Sequence, residues 1–281
     1  MHTPVLLKEA VEGLSIKKDG LYIDATVGEG GHLIQIAQLG GKVLGIEIDR
    51  NQINKLTIDN SKIIQGNFKD IEKIAIENNF FPVDGILLDL GLSVKQIKNS
   101  GRGFSYRNLE EPLDMRLSTT FETTASKVVN SLSQDELYEI FAKYSEDINS
   151  LAISKVLVRA RTIKPIEKVK DLINIINQVI GETRYSTLGD KTYARIFQAL
   201  RIAVNNEIEN LRNALAGSLR ILKKTGRVVV ISFHSIEDRT VKQFISNNNL
   251  KQFNKKVIVS KRGLEFERSA KMRIICYETS N

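Results

Sequence analysis

The residues best suited to chemistry lie between Leu21 and His32, where a short apolar run ends in Asp24 and then breaks into three glycines. Glycine tolerates positive φ and lets the backbone approach a ligand closely, and a helix that starts after the glycines exposes free N–H groups. A helical pattern of apolar residues resumes at Leu33. A strand, a glycine turn and a helix start form the ligand cradle of open parallel sheets. The sequence therefore predicts a site for a nucleotide-type ligand.

The spacing of the glycines narrows the choice of ligand. A dinucleotide fingerprint needs glycine at its first, third and sixth positions. Gly28 and Gly30 fill the first two, but Leu33 stands at the sixth. A phosphate-binding P-loop needs Lys and then Ser or Thr after its last glycine, whereas His32 follows here. The run from Asp24 to His32 instead resembles the D-x-T-x-G-x-G-G-H cradle of an S-adenosylmethionine (AdoMet) methyltransferase.

Three later apolar runs also end in residues that could contact a ligand. The second run ends in Glu47, about 20 residues after the first cradle glycine, which is the spacing expected of a carboxylate that binds a ribose diol. The third run leads into Phe68, and the fourth ends in Asp89. Because the carboxyl ends of parallel strands line one crevice, we expect these three residues to lie around a common pocket.

Composition limits the class of protein. The chain has 281 residues, of which 42% are hydrophobic and 26% charged, so one or two globular domains are expected. No apolar stretch approaches the roughly 18 residues that a membrane helix needs, and the N-terminal residues lack a signal or transit pattern. A single cysteine, Cys276, excludes an internal disulfide and fits a reducing compartment. We therefore expect a cytoplasmic protein without a membrane segment.

The net charge bears on the class of partner, and the histidines and the cysteine bear on metal binding. The formal net charge is +8 and the calculated isoelectric point is about 9.4, which suits a polyanionic partner. Three histidines and one cysteine, without the spacing of a ligand set, give no basis for a metal site.

The elements that position these residues follow from periodicity. Residues 21–90 alternate short apolar strands with helical segments, which is typical of a parallel α/β sheet. A polar loop at 92–116 is followed by helical periodicity from about residue 133 to residue 222, and a strand resumes at Arg227 after a Lys-Lys-Thr-Gly turn. We therefore predict a discontinuous sheet domain, 1–110 and 207–281, with an all-helical insert at 111–206.

Several longer blocks resemble the bacterial small-subunit (16S) ribosomal RNA cytosine-N4 methyltransferases, and they occur in the order of that family along nearly the whole chain. The most specific are Pro-Leu-Asp-Met-Arg and Ser-Phe-His-Ser-x-Glu-Asp-Arg. The blocks span residues 2–7, 22–32, 85–91, 102–105, 112–116, 197–205, 232–239 and 268–273. The resemblance implies a class I, Rossmann-like methyltransferase domain with a mostly parallel seven-stranded sheet and an inserted all-α domain. It also implies AdoMet as co-substrate, and a cytosine in 16S rRNA near the decoding centre as substrate.

The resemblance assigns the cofactor site residue by residue. Three consecutive cradle residues would surround the amino-acid portion of AdoMet, namely Gly30, Gly31 and His32. Glu47 would hold the ribose, Phe68 would pack on the adenine, and Asp89 and Gln96 would close the pocket. Relatives often carry Asp at the position of Glu47, and the longer carboxylate should still reach the diol.

The chain departs from the family pattern on the substrate side. A family Gly-Val-Ser-Ser-Pro-Gln appears here as residues 91–96 with Val94 and Lys95 in place of the second Ser and the Pro. A family His-Pro-Ala-x-Arg appears as Lys191 to Arg195, and Tyr144-Ser-Glu-Asp replaces a usual Tyr-Gly-Glu-Glu. These changes leave open an alternative, a catalytically weakened AdoMet-fold protein that binds ribosomal particles. A protein or small-molecule methyltransferase is disfavoured by the basic charge and the large insert.

Methylation of a cytosine amine sets the demands on the site. The lone pair of that amine is delocalised into the ring, so positioning and acceptors for the amine protons should supply most of the catalysis. The predicted catalytic residues are Asp89 as acceptor, Ser93 as assistant and His234 as either a general base or a loop-orienting residue. Residues 235–238 read equally well as a capping box that starts a helix. A covalent route needs a cysteine beside the crevice, and Cys276 falls in a predicted C-terminal strand.

Arginine matches the geometry of phosphate groups. We therefore expect RNA contacts from five arginines, with a solvated protein surface as the alternative reading for each: Arg102, Arg107, Arg116, Arg195 and Arg201. The expected partner is the small ribosomal subunit through its 16S rRNA. The sequence leaves the oligomeric state open, with a homodimer as one option.

Overall fold

A computed structural model describes residues 4–53, 58–181, 187–254, 256–260 and 269–277. His2 and Arg268, which open two of the family-like blocks, lie outside these ranges. The chain divides into two compact units, the first formed by residues 1–91 and 208–281 and the second by residues 92–207. Among the described residues, no helix combines the length and the apolarity needed to cross a membrane.

The strands all belong to the first unit. They are β1 (Leu21–Asp24), β2 (Lys42–Glu47), β3 (Ser61–Gln65), β4 (Val83–Asp89), β5 (Leu222–Ser232), β6 (Lys251–Gln252), β7 (Ile258–Val259) and β8 (Lys271–Cys276). The helices, numbered along the whole chain, are α1 (Leu7–Leu14), α2 (Gly31–Gln38), α3 (Arg50–Ile53), α4 (Ile71–Glu77), α5 (Val94–Asn99), α6 (Ala125–Ser131), α7 (Gln134–Ser145), α8 (Ser150–Arg161), α9 (Val169–Ile180), α10 (Thr187–Asn205), α11 (Glu207–Ile221) and α12 (Ser235–Asn247).

The sheet has the order β3-β2-β1-β4-β5-β8-β6, and β7 also pairs with β8. The first five strands in this order are parallel to one another, and β8 runs antiparallel to β5. This confirms the predicted mostly parallel α/β fold. The sheet has eight strands rather than seven because β6 and β7, each two residues long, pair with different parts of β8.

Both faces of the sheet are covered by helices. On one face, Ile23, Ile86 and Val230 pack with apolar residues of α4, α11 and α12. On the other, Tyr22 and Val229 pack with apolar residues of α1 and α2. Successive strand residues point to opposite faces, so a strand that is buried on both sides has the continuous apolar run seen in the sequence.

The second unit has its own helical core, which includes Leu137, Phe141, Leu157 and Leu172. Local capping signals set several helix starts; the hydroxyl of Ser133 and the carboxylate of Glu136, for example, form a capping box at α7. The predicted continuous helical stretch through residue 222 is instead divided into α10 and α11 at residue 206, an Asn with φ of +51°.

The second unit begins at residue 92, whereas the predicted insert began at 111. The polar loop at 100–117 is tied to this unit by its own contacts. The backbone N–H of Gly103 donates to the carboxylate of Glu111, Phe104 is buried in the helical core, and the N–H of Leu117 donates to Asn205 Oδ1 at 2.7 Å. Hydrogen bonds across some 90 positions of sequence have no signature in local periodicity, which is why the predicted boundary falls within this loop rather than before it.

Candidate ligand cradle and active site

The glycine turn after β1 has the backbone that a ligand cradle requires. Gly28 and Gly30 have φ of +52° and +84°, values that favour glycine, and Gly31 is the first residue of α2. A Cβ on Gly31 would lie 2.2 Å from Cγ of Pro4, so this position also has no room for a larger residue. The turn therefore presents backbone at the start of a helix, where N–H groups remain available to an anionic or polar ligand group.

Glu47, at the end of β2, holds the turn in place. Its Oε2 accepts a hydrogen bond from the Gly28 N–H at 2.7 Å, and its Oε1 accepts one from the Asp49 N–H at 2.8 Å. The side chain is buried, and desolvation raises its pKa. A carboxylate offers about four lone-pair positions, so each oxygen can still accept a hydroxyl. The residue can thus support the cradle and bind a diol at the same time.

Asp24 ends β1 and opens the D-x-T-x-G-x-G-G-H run, but it is absent from the predicted cofactor-binding residues. Its carboxyl group is fully buried; Oδ1 accepts from the Thr26 N–H at 3.1 Å, and Oδ2 accepts no hydrogen bond within the described parts of the chain. Burial, with a further contribution from the negative charge of Glu47, raises the pKa of Asp24 to about 7. A buried oxygen of this kind is suited to a ligand that carries a cation or a donor. Its place immediately before the glycines was the signal available in the sequence.

Asp89 and His32 meet at the end of β4. The His32 Nδ1 lies 3.5 Å from Asp89 Oδ2, and the Asp89 N–H donates to the hydroxyl of Thr26 at 2.8 Å. Burial lowers the pKa of His32 to about 4, so the imidazole is neutral at pH 7 and its contact with Asp89 is not an ion pair. The structure therefore brings together two predicted residues, His32 from the cradle and Asp89 from the fourth strand.

Phe68 begins a short 3₁₀ turn, Phe68–Asp70, that follows β3. Its ring is half-buried and packs against the sheet core. The side chain of Asn67 caps this turn by accepting from the N–H of Lys69 at 3.0 Å. The 3₁₀ turn thus places an aromatic ring just beyond the end of β3, which pairs in parallel with the strand that carries Glu47.

Ser93 and Gln96 lie in the second unit, where they start α5. The Ser93 hydroxyl accepts from the Gln96 N–H at 3.1 Å, and the Gln96 side-chain oxygen accepts from the Ser93 N–H at 2.9 Å. This reciprocal pair is a capping box. The helix therefore starts normally although Val94 and Lys95 replace the family residues. The capping role accounts for both side chains structurally, and their catalytic and cofactor roles remain predictions.

His234 caps α12 just after β5. Its Nδ1 accepts weakly from the Glu237 N–H at 3.4 Å, and its Nε2 lies 3.0 Å from Glu237 Oε1. Glu237 Oε2 in turn accepts from the Phe233 N–H at 2.8 Å. The capping box is thus formed by His234 and Glu237, one residue earlier than the predicted box at 235–238. This arrangement favours the loop-orienting interpretation of His234 over that of a general base.

Three of the five arginines predicted to bind RNA make ordered contacts inside the second unit. Arg116 pairs with both carboxylate oxygens of Asp114 at 2.7 and 2.8 Å, and Arg201 pairs with Glu207 at 2.8 and 2.9 Å. Arg102 donates to two backbone carbonyls of the same loop at 2.9 and 3.0 Å. These contacts explain the three side chains without RNA.

The other two arginines are on the surface. Arg107 is 69% exposed and lies 3.9 Å from Asp190, and Arg195 is about half exposed and lies 3.5 Å from Asp147. These distances are longer than those of the carboxylate pairs of Arg116 and Arg201. They are therefore the better placed of the five to reach a phosphate group.

The raised pKa of Asp24 predicts a specific pH dependence of stability. A folded-state pKa of about 7 lies above the ordinary value of 3.8, so between these values the folded protein retains a proton that the unfolded chain releases. Stability from this group is complete below pH 4 and is lost as pH rises through 7. We expect Asp24→Asn to remove that loss and to stabilise the ligand-free protein at pH 8 relative to wild type.

Urea titrations of the wild type and the Asn variant at pH 5 and pH 8 measure this effect. The difference between the two proteins should grow with pH. A constant difference would show that Asp24 is ionised in the folded protein throughout this range.

Comparison with known proteins places these features in a family context. A family model described as the MraW methylase family matches residues 1–277. The ribosomal RNA small subunit methyltransferase H of Coprothermobacter proteolyticus is 42% identical over 250 residues, which cover 86% of this chain and 82% of that protein. The protein of the same name from Thermosipho africanus is 39% identical over 284 residues and covers 97% of this chain and 96% of its own. Among solved structures, an rRNA methylase from Streptococcus thermophilus aligns over 99% of both chains at 9% identity with a TM-score of 0.46.

Proposed function

Because the chain belongs to the MraW methylase family, we propose that it transfers a methyl group from AdoMet to the exocyclic N4 of a cytidine in small-subunit (16S) rRNA near the decoding centre. The single observation that carries this proposal is the cradle in which Glu47 fixes Gly28 beside two buried groups, Asp24 and His32. The names of the relatives, which specify ribosomal RNA of the small subunit, support the substrate class.

The residues of the cradle fit AdoMet. Its ribose diol needs acceptors, which Glu47 offers, and its adenine needs an apolar surface, which Phe68 offers. Its methionine portion carries an ammonium group, for which Asp24 supplies a buried carboxyl oxygen without a hydrogen bond in the described residues. We propose that Gly30, Gly31 and His32 surround this portion, and that Asp89 and Gln96 complete the pocket. No metal is part of the proposal.

The proposed chemistry is direct transfer. The cytosine amine must approach the methyl carbon in line, and an acceptor must take up hydrogen bonds from the amine as positive charge develops on its nitrogen. Asp89 is the proposed acceptor, with Ser93 as an assistant. His234, through its contacts with Glu237, is proposed to orient the loop after β5 rather than to transfer a proton.

The proposed partner is the small ribosomal subunit in the cytoplasm. Within the helical unit, we propose Arg107 and Arg195 as phosphate contacts because they are exposed. Arg102, Arg116 and Arg201 are proposed to act indirectly, by holding the loops of that unit.

A methylation assay tests the proposal. Small subunits isolated from cells that lack this protein should accept label from AdoMet at one cytidine, and mapping of the modified nucleotide should place it near the decoding centre. Binding to subunits without any transfer of label would instead support the weakened, non-catalytic alternative. Transfer of label to a protein or to another base would contradict the proposed substrate.

Replacement of Glu47 tests the cofactor site independently of RNA. We expect Glu47→Ala to weaken AdoMet binding by about 1 to 3 kcal/mol, because the ribose and the Gly28 N–H both lose an acceptor. Glu47→Asp, which retains the carboxylate, should lose less. Calorimetry in the presence of a chelator measures both variants and also tests whether binding needs a metal. Tight binding of NAD with none of AdoMet would refute the assignment.

A further inference from the structure

A line of cations lies far from the proposed AdoMet site, along the edge of the sheet at which the parallel strands of the first unit begin. Glu47 and Asp89 lie at the carboxyl ends of their strands, and this line lies at the amino ends of the same parallel strands. Lys42 begins β2 and pairs with the first residue of β1. Arg227 of β5 lies opposite Gly85 of β4. Arg227 and Lys251 of β6 both lie opposite Cys276 of β8, one on each side of that strand. Five strand spacings separate β2 from β6, a distance of about 24 Å.

More cations project from the segments beside this line. Pairing of β5 with β4 skips from Leu222 to Arg227, so the predicted Lys-Lys-Thr-Gly turn bulges out at the edge. The loop before β1 adds two exposed lysines. We name this surface the basic edge, and it comprises Lys17, Lys18, Lys42, Lys223, Lys224, Arg227, Lys251 and Phe253.

Carboxylates neutralise part of the basic edge. Asp84 lies 2.7 Å from Lys223 and 3.7 Å from Lys17, and Asp19 lies 3.7 Å from Lys42. Glu12, near the end of α1, pairs with a lysine on its own helix. In the described ranges, three exposed lysines of the basic edge have no carboxylate within 4 Å, namely Lys18, Lys224 and Lys251. The surface therefore retains an excess of positive charge.

An exposed aromatic ring lies among these cations. Phe253 follows β6 and is 55% exposed, and the guanidinium carbon of Arg227 lies 4.0 Å from the centre of its ring. The same guanidinium donates to the carbonyl of Gly13 at the end of α1, at 3.1 Å. Arg227 thus has a helix-end role, because cations are favourable at helix C-termini. Lys224 lies in a bulge and Lys251 in a strand, so neither lysine has such a role at a helix C-terminus.

We propose that the basic edge binds an unpaired segment of ribosomal RNA, with a base stacked on Phe253 and phosphates on Lys224 and Lys251. Proteins bind single-stranded nucleic acid through this combination, a positively charged track with an exposed aromatic ring. The inference rests on the proposed function, since it adds a second contact with the same substrate class. It would anchor the enzyme to the subunit at the end of the sheet opposite the cofactor crevice.

Salt-dependent binding to isolated small subunits tests the inference. We expect the double variant Lys224→Gln/Lys251→Gln to flatten the slope of log affinity against log salt by about 1.4, because each lost phosphate contact contributes about 0.7 on single strands. Phe253→Leu, which keeps an apolar side chain but removes the aromatic face, should weaken binding about tenfold at constant salt. AdoMet binding should stay unchanged in every variant, which verifies the fold of the unit.

Matched controls lie on helices of the same unit. Lys8→Gln/Lys73→Gln makes the same charge change at two exposed lysines of α1 and α4, and Ile76→Ala truncates another exposed apolar side chain. These variants should bind subunits like wild type. A slope change equal to that of the test variant would overturn the inference, since it would reflect net charge alone.

Binding to a short unstructured RNA oligonucleotide distinguishes a direct RNA contact from a contact with a ribosomal protein. Weaker binding of this oligonucleotide by the test variants supports a direct RNA contact. Test variants that bind both subunits and oligonucleotide like wild type would overturn the inference, even with methylation intact. Variants weakened toward subunits but unchanged toward the oligonucleotide would also overturn it, because the partner would then be a ribosomal protein. If the double variant flattens the salt slope as expected but the wild type transfers no methyl group, the proposed function fails while the RNA contact stands.

Discussion

Asp89→Asn should lower the rate of methyl transfer by about 10²- to 10³-fold while it changes AdoMet affinity far less. The amide keeps an acceptor oxygen but has no negative charge to favour the positive charge that develops on the cytosine nitrogen. The surrounding structure should persist, because the backbone N–H of Asp89 still donates to the hydroxyl of Thr26. The neighbouring His32 is neutral at pH 7, so the substitution does not strand a buried cation.

Single-turnover methylation of small subunits at saturating AdoMet separates chemistry from binding. His234→Ala is the control, and it should cost much less if that side chain only orients the loop after β5. A nearly normal rate for the Asp89 variant would shift the acceptor role to backbone carbonyls and Ser93. A collapse of AdoMet binding, with normal transfer once AdoMet is saturating, would make Asp89 a cofactor ligand alone.

Asp238→Ala should lower the free energy of unfolding by about 3 to 5 kcal/mol, the usual cost of leaving one partner of a buried ion pair alone. Arg273 and Asp238 are both buried, and they join β8 to α12 through contacts of 2.7 and 3.2 Å. A third nitrogen of the arginine donates to Gln252 at 2.6 Å. Removal of the carboxylate therefore leaves a guanidinium in the interior with Gln252 as its side-chain acceptor among the described residues.

Urea unfolding followed by circular dichroism measures this loss, since the chain contains no Trp. Arg220→Ala is the matched control, because its pair with Glu72 is largely exposed and should contribute less than about 1 kcal/mol. The double variant Asp238→Ala/Arg273→Met should recover part of the loss, because it buries no unpaired charge. A loss below 1 kcal/mol for Asp238→Ala would show that Arg273 finds other partners.

Local sequence determined much of the cradle. The glycines, the strand tips at Glu47 and Asp89, and the order of strands and helices up to residue 90 follow from short-range rules, namely glycine conformation and apolar periodicity. The helical insert was also evident, because amphipathic spacing persists through it. Such features depend on neighbours within one or two turns, so the sequence displays them directly.

Tertiary structure alone decided which arginines are available to bind phosphate groups. Arg102, Arg116 and Arg201 looked equivalent to Arg107 and Arg195 as phosphate ligands, but the folded chain gives the first three short internal contacts and leaves the other two exposed. Whether an arginine finds a carboxylate or a carbonyl depends on where the loops pack, and apolar periodicity carries no information about polar partners.

Burial and strand pairing likewise set properties of side chains that no local pattern fixes. The carboxyl group of Asp24 has a pKa of about 7 because the fold buries it completely, so burial rather than residue type set its properties. Lys42, Arg227 and Lys251 come from separate parts of the sequence, and strand register aligned them along the basic edge. Sequence by itself determined the elements and the cradle, whereas pairing and burial decided which side chains could act together, because these arise from contacts between distant segments.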